Sequence, residues 1–280
     1  MKVLVNYANE TYKKAQIFSS KMGIKKGGFD KVFSFGPEDI DMEYRKAHKN
    51  IFEIKRGDGL WLWKPYLINR VLEKTKDGDY IFYCDSGAFF VKNVDNIIQS
   101  LRPNEKIWVS DNPLIESCFT KEGCFEAMNC LTAEYKYTNQ IQATYIMFVN
   151  CKETREFVKK WMSLCEQYRL ISPENAVIDY TLKYGMKFVS HREDQSILSL
   201  LCKLEGVYPH LDPSQRAIFP ETFFNPCYAY KVPAHNDQYR FVIFLHKAKV
   251  VNCYEILKVA YGTLKKIAIY KKWKSKELKR

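Results

Sequence analysis

The sequence predicts an α/β domain. Two observations carry this. A short apolar run, Lys2 to Tyr7, reads as a buried strand and passes at once into a helical pattern, and such runs and patterns keep alternating to about residue 250 with no repeat, low-complexity stretch or linker. At 280 residues and 46% hydrophobic, the chain has ample material for one large core.

The elements follow in order. Tyr12 to Met22 carries Ala15, Ile17, Phe18 and Met22 on one helical side, and Lys31 to Phe35 is a second strand. Pro65 opens a helix over Tyr66 to Lys74, and Tyr80 to Tyr83 forms a third strand that stops abruptly at Asp85-Ser86-Gly87. Ile107 to Ser110 and Tyr145 to Val149 are further strands, Thr154 to Tyr168 is an amphipathic helix, and Asp194 to Leu204 another. Phe188 to Ser190 and Phe241 to Leu245 complete the strands. The expected division is a domain over 1–250 and a basic helical tail over 251–280.

Composition narrows the class. Ordinary hydrophobicity with 12 Gly and 10 Pro excludes a disordered tail or a collagen-like rod. Nine cysteines with no Cys-x-x-Cys pair point to reduced thiols and a cytoplasmic chain, and the spacing of Cys118, Cys124 and Cys130 matches no common zinc module. Met1-Lys2 leads only three apolar residues, too few for a signal-peptide core, and no run approaches the length of a transmembrane helix. The chain is therefore expected to be soluble or peripheral on the inner face of a membrane. A net charge of +12 predicts an anionic partner without choosing among nucleic acid, acidic lipid and nucleotide.

In open α/β sheets ligands gather outside the carboxyl ends of strands, which singles out Asp85. Taken alone, it would as readily start an Asx-turn. Its company decides otherwise. Gly59-Leu-Trp-Leu-Trp-Lys64-Pro65, then Asp79-Tyr-Ile-Phe-Tyr-Cys-Asp85-Ser-Gly87, resembles bacterial glycosyltransferases of the GT-A fold, in which a Trp-Lys-Pro segment precedes a YxDxG form of the Asp-x-Asp motif. Gln140-Ile-Gln142-Ala, His191-Arg-Glu-Asp194-Gln195-Ser and His246-Lys-Ala-Lys249 continue the resemblance in order, at a distance also to glycosyltransferase family 8.

The resemblance implies a Rossmann-like mixed sheet flanked by helices. It also implies transfer from a nucleotide-sugar, UDP-linked by preference, to a hydroxyl of a glycan or glycolipid in surface polysaccharide or lipopolysaccharide synthesis. It places the nucleotide at Asn6, Tyr7 and Ala8, with Tyr7 as a base contact or as strand-end packing. Lys64 would meet a phosphate or base carbonyl, unless it snorkels along Trp63. Asp85, with Ser86 and Gly87, would meet the ribose or a Mn²⁺ or Mg²⁺ ion. Gly87 departs from the full motif by lacking the second acid, so His246 is the candidate replacement ligand, while Lys247 and Lys249 would neutralise the diphosphate. Asp194 is the expected catalytic or sugar-orienting carboxylate, against an alternative role as helix cap, and Gln142 would lie beneath the sugar ring. His191 and Arg192 are read as phosphate contacts or supporting structure. The order of motifs favours retention of configuration.

Residues 254–280 hold nine Lys/Arg and two Glu, so +7 of the excess is terminal and the rest of the chain carries about +5. Apolar residues from Ile256 to Tyr270 recur at helical spacing among lysines, with Trp273 near the end, the composition of a helix that lies on an anionic membrane surface. Two alternatives remain. The 19 Tyr, 18 Phe and 5 Trp could serve a nucleic-acid binder, although the cations gather in the tail and no nucleic-acid motif is present, so no nucleic-acid partner is expected. Gly87 would also suit a catalytically silent GT-A scaffold.

Overall fold

A computed structural model describes residues 1–173, 181–182, 186–225 and 230–277. The α/β class holds. A five-stranded sheet runs in the order β2-β1-β3-β6-β5, from β1 (Lys2–Tyr7), β2 (Lys31–Phe35), β3 (Tyr80–Cys84), β5 (Ile107–Ile115) and β6 (Asn139–Val149). β2, β1 and β3 are parallel, and β6 enters antiparallel between β3 and β5. β5 shifts register against β6 between Val109 and Ser110 and again between Asp111 and Ile115.

Alternation along the central strand explains why it reads as continuously apolar. Ile81 and Tyr83 face one core, where Leu67, Val71, Phe157, Trp161, Ile197 and Leu201 of the covering helices pack. Phe82 and Cys84 face the other, against Phe90, Trp108, Met147 and Ile243. The helices concerned are Trp63–Lys74, Lys152–Cys165 and Glu193–Leu204. Burial on both faces makes β3 a rigid stalk, and Asp85 stands at its tip.

A short strand not foreseen, β4 (Ala88–Phe90), pairs antiparallel with the late strand Ile243–Leu245. This pairing carries His246 and Lys247 to the turn after β3, where both backbone N–H groups donate to Gly87 O at 2.9 Å. A Cβ at position 87 would lie 3.2 Å from Lys247 Cα, so the glycine is where two backbones meet.

Other expectations need correcting. Phe188–Ser190 is irregular, because Val189 and Ser190 bond to Cys118 O instead of entering a ladder. The first helix is Lys13–Met22, and Ile17 is exposed while Ala15, Gln16 and Ser19 form the buried side. The tail is one long helix, Cys253–Glu277. The eight described cysteines are free thiols, and Cys227 lies outside the described residues.

Candidate functional site

All five motifs send at least one residue to an open cleft of about 360 Å³ above the carboxyl end of β3. At its floor lies Lys64, only 3% exposed. Its Nζ sits 3.1 Å from Asp194 Oδ2 and 3.5 Å from Asp85 Oδ1, and donates a hydrogen bond to Ala143 O at 3.1 Å. Tyr83 OH donates to Asp85 Oδ1 at 2.6 Å, and the ammonium lies 5.0 Å from the Tyr83 ring centre. Lys64 is therefore neither snorkelling nor free to meet a phosphate. It is the internal counter-ion of two carboxylates that come from the end of β3 and the start of the helix Glu193–Leu204.

The electrostatics follow from burial. Burial opposes the Lys64 ammonium, but Asp194 and Asp85 outweigh it and hold its pKa above the usual lysine value. Burial pushes the Asp194 carboxyl up to about 7 against the pull of Lys64, with Asp85 and Glu193 adding to the rise. Two carboxylates around one ammonium leave this floor one proton short of neutrality, so Asp194 is the group that titrates.

Cations stand around that floor. Lys247 lines the cleft, and burial, helped by Arg216 and Arg192, brings its ammonium down to about 8. Arg192 also lines the cleft, and its guanidinium lies 4.5 Å from the Phe119 ring centre. On the opposite wall Arg56 grips the buried Glu193 through two nitrogens, at 2.6 and 3.4 Å, and covers the Trp61 ring at 5.6 Å. Sequence reasoning missed Arg56 and Glu193, since nothing local marks a pair 137 positions apart.

Trp61 reaches the wall through an unusual backbone. Gly57, Asp58, Gly59, Leu60 and Trp61 all have φ between +53° and +92°, a left-handed turn that three of them adopt with a side chain. Glycine is required twice: a Cβ on residue 57 would strike the Trp61 ring and one on residue 59 the Phe52 ring. The turn is pinned by Trp63 Nε1 donating to Gly57 O at 2.9 Å and by Tyr7 OH donating to the Asp58 carboxylate.

The remaining expected residues are distributed as follows. Tyr7 is buried and stacks on Trp63 at 3.8 Å, so its ring face is already taken. Asn6 donates to Ser20 Oγ at 2.9 Å, Ala8 N to Phe35 O at 3.1 Å, and Ser86 Oγ to Tyr7 O at 2.6 Å; these hold the strand ends together. Gln142 is not among the residues lining the cleft, and its Nε2 donates to Ser110 Oγ at 2.9 Å and Asp212 Oδ2 at 3.0 Å. In its neighbourhood Gln195 reaches the wall, accepting from Ala143 N at 3.2 Å and donating to Gln140 Oε1 at 2.7 Å. His191 is a structural residue: Nδ1 accepts from Lys121 N, Nε2 bonds Leu170 O, and burial with the Lys121 charge brings its pKa down to about 3.

His246 and Lys249 line a second cavity of about 470 Å³, which adjoins the cleft through Lys247 and includes Tyr12, Asn252 and Lys258. The aromatic ring presented to this space is Tyr12, not Tyr7. His246 Nδ1 accepts from Ala248 N at 3.0 Å, while its Nε2 is buried without a hydrogen-bond partner. Burial brings its pKa down to about 4, so the ring is neutral at pH 7. Among the described residues no group of three or more His, Cys, Asp or Glu could hold a metal ion by itself. Asp85 in the cleft and the orphaned neutral Nε2 of His246 in the adjoining cavity are donor types that a divalent ion takes, one from each of the two spaces. A larger cavity, about 600 Å³, lies at Arg102, His235 and Asp237 and holds none of the motif residues.

No family model and no curated protein sequence matches the chain. Among solved structures, it is similar to the galactosyltransferase LgtC in complex with donor and acceptor sugar analogs, at 15% identity and a TM-score of 0.46, covering 88% of this chain and 86% of that one. Mouse xyloside xylosyltransferase 1 in its apo form gives 8% identity and a TM-score of 0.44, with 91% and 99% covered. The glycosyltransferase GlyE of Streptococcus pneumoniae TIGR4 gives 15% identity and a TM-score of 0.44, with 98% of this chain and 63% of that one covered.

Proposed function

We propose that the chain is a glycosyltransferase that moves a sugar from a UDP-sugar to a hydroxyl of a glycan or glycolipid in surface polysaccharide or lipopolysaccharide synthesis, with retention of configuration. The observation that carries this reading is the Lys64 ammonium between Asp85 and Asp194, which draws the Trp-Lys-Pro, YxDxG and His-x-x-Asp-Gln motifs onto one cleft floor.

The donor spans the two cavities. The nucleoside lies in the space lined by Tyr12, Lys249 and Lys258, where stacking on Tyr12 replaces the contact expected of Tyr7. The diphosphate crosses at Lys247, on whose buried charge Arg216 and Arg192 outweigh Asp85 and Asp212. The sugar enters over Asp85, Asp194 and Gln195. Asp194, locked against Lys64, orients sugar hydroxyls, and the departing phosphate receives the acceptor proton, so no further carboxylate base is required. Asp85 and His246 would hold a Mn²⁺ or Mg²⁺ ion, which when bound neutralises charge on the leaving diphosphate.

Thermal-shift measurements with UDP, GDP and CMP, with and without Mn²⁺, test the reading, followed by donor hydrolysis. A nucleotide at about 100 times its Kd stabilises by about 2.7 kcal/mol, an upward shift of about 5 °C or more in Tm. No shift with any nucleotide, and a shift with single-stranded RNA, would overturn it. Asp85→Ala is expected to abolish nucleotide binding and Asp194→Asn to spare binding while lowering turnover; the reverse pattern would exchange their roles.

A further inference from the structure

The C-terminal helix Cys253–Glu277 has two unlike faces. Facing the domain, Tyr270 and Trp273 pack on Phe224 at 5.1 and 4.8 Å, and Lys266 Nζ reaches Phe224 O. Trp273, which composition alone suggests as a membrane aromatic, thus belongs to the domain-facing side. On the opposite side Tyr254, Leu257, Tyr261 and Leu264 follow one another at spacings of three, four and three, each 66–70% exposed. At about 100° per residue they form one stripe about 80° wide. Lys265, Lys272 and Lys276 stand within about 40° of one edge and Lys271 within about 20° of the other, all exposed. The acid of the first turn, Glu255, lies off the stripe and pairs with Lys258.

We propose that this stripe is a docking face for an anionic lipid bilayer, on which the helix lies flat along its roughly 37 Å length. Charge decides the occupant. Tyrosine and leucine in a row, with lysines along one edge and Lys271 at the other, match an acyl boundary topped by negative headgroups. A second copy of the helix would bring two lysine-edged stripes together, with like charges facing each other. None of the described helices is long and apolar enough to cross a membrane, which is consistent with lying on one. The inference is independent of the glycosyltransferase reading, since a chain that bound no nucleotide would still dock.

Flotation of the full-length protein with vesicles tests it: phosphatidylcholine alone against phosphatidylcholine with about one-third phosphatidylglycerol, at low and high salt. Truncation is the wrong variant, because Glu255, Lys258 and Val259 of the same helix line the second cavity. Leu257→Ser with Leu264→Ser removes both leucines of the stripe without touching that wall. The wild type is expected to float only with the anionic vesicles and to be released by salt, and the double variant to bind at least about tenfold more weakly at an unchanged melting temperature. Equal binding by both proteins, or no binding of the wild type to anionic vesicles, overturns the proposal. So does a wild-type dimer in sedimentation that the double variant dissolves, which would give the stripe to a second copy.

Discussion

Replacing Asp194 by Asn removes a charge from the most enclosed ion pair of the cleft while keeping the side chain's shape, and the consequence can be worked out in pH. The folded chain keeps the Asp194 proton up to about pH 7, whereas the unfolded chain releases it near the ordinary 3.8. Between those values the folded state binds one more proton than the unfolded state, so stability contributed by this group falls as pH rises through the window and is level on either side. At 1.36 kcal/mol per pK unit the fall is at most about 4 kcal/mol, and half of it would still be readable. Urea unfolding of wild type and Asp194→Asn from about pH 4 to about pH 8 measures it. The wild type should lose stability relative to the variant across that range, with the difference closing over toward acid. Parallel curves would mean that Asp194 is ionised throughout, and the account in which burial outweighs the pull of Lys64 on Asp194 would fail with them.

The other expectations concern the two cavities. With the Lys247 ammonium brought down to about 8, UDP affinity should fall about tenfold or more as pH rises through that value, because lysine then loses its charge; Lys247→Arg should flatten the profile in calorimetry. Tyr12→Ala should cost about 1–3 kcal/mol of UDP binding by lost stacking, read in the same calorimetry. Gly87→Asp, which nominally restores the second acid, should lower stability by about 1–3 kcal/mol by pressing a Cβ onto Lys247 Cα, and should not strengthen Mn²⁺ dependence. A wild-type melting temperature for that variant would show that the two backbones part freely.

Much of this was legible in the sequence, and the residues show where legibility ends. β1, β2 and β3 are short, apolar and bounded by polar turns, so period and punctuation place them nearly to the residue. The motifs likewise mark Lys64, Asp85, Asp194 and Lys247, because each stands at an element's end beside an apolar run. Partnership is what local pattern does not hold. Lys64 reads as a basic residue seeking an anion, and only the approach of β3 and the helix Glu193–Leu204 reveals that it has found two. β4 is three residues long and exists through its pairing with Ile243–Leu245, far away in the chain. Arg56 grips Glu193 for the same reason of distance. Phe188–Ser190 has strand chemistry, yet Val189 and Ser190 bond to Cys118 O, a partner far away in the chain.

The left-handed turn at Gly57–Trp61 has a further consequence. Holding Asp58, Leu60 and Trp61 in that conformation costs about 3–6 kcal/mol, which the contacts of Tyr7, Trp63 and Arg56 must offset. The segment is thus a sprung latch. Once its pins are drawn, it would recoil by relaxing toward ordinary handedness. Exchange of the amides of residues 57–61 would register that recoil before any strand opened, and it would carry Trp61 and Arg56 away from the cleft together.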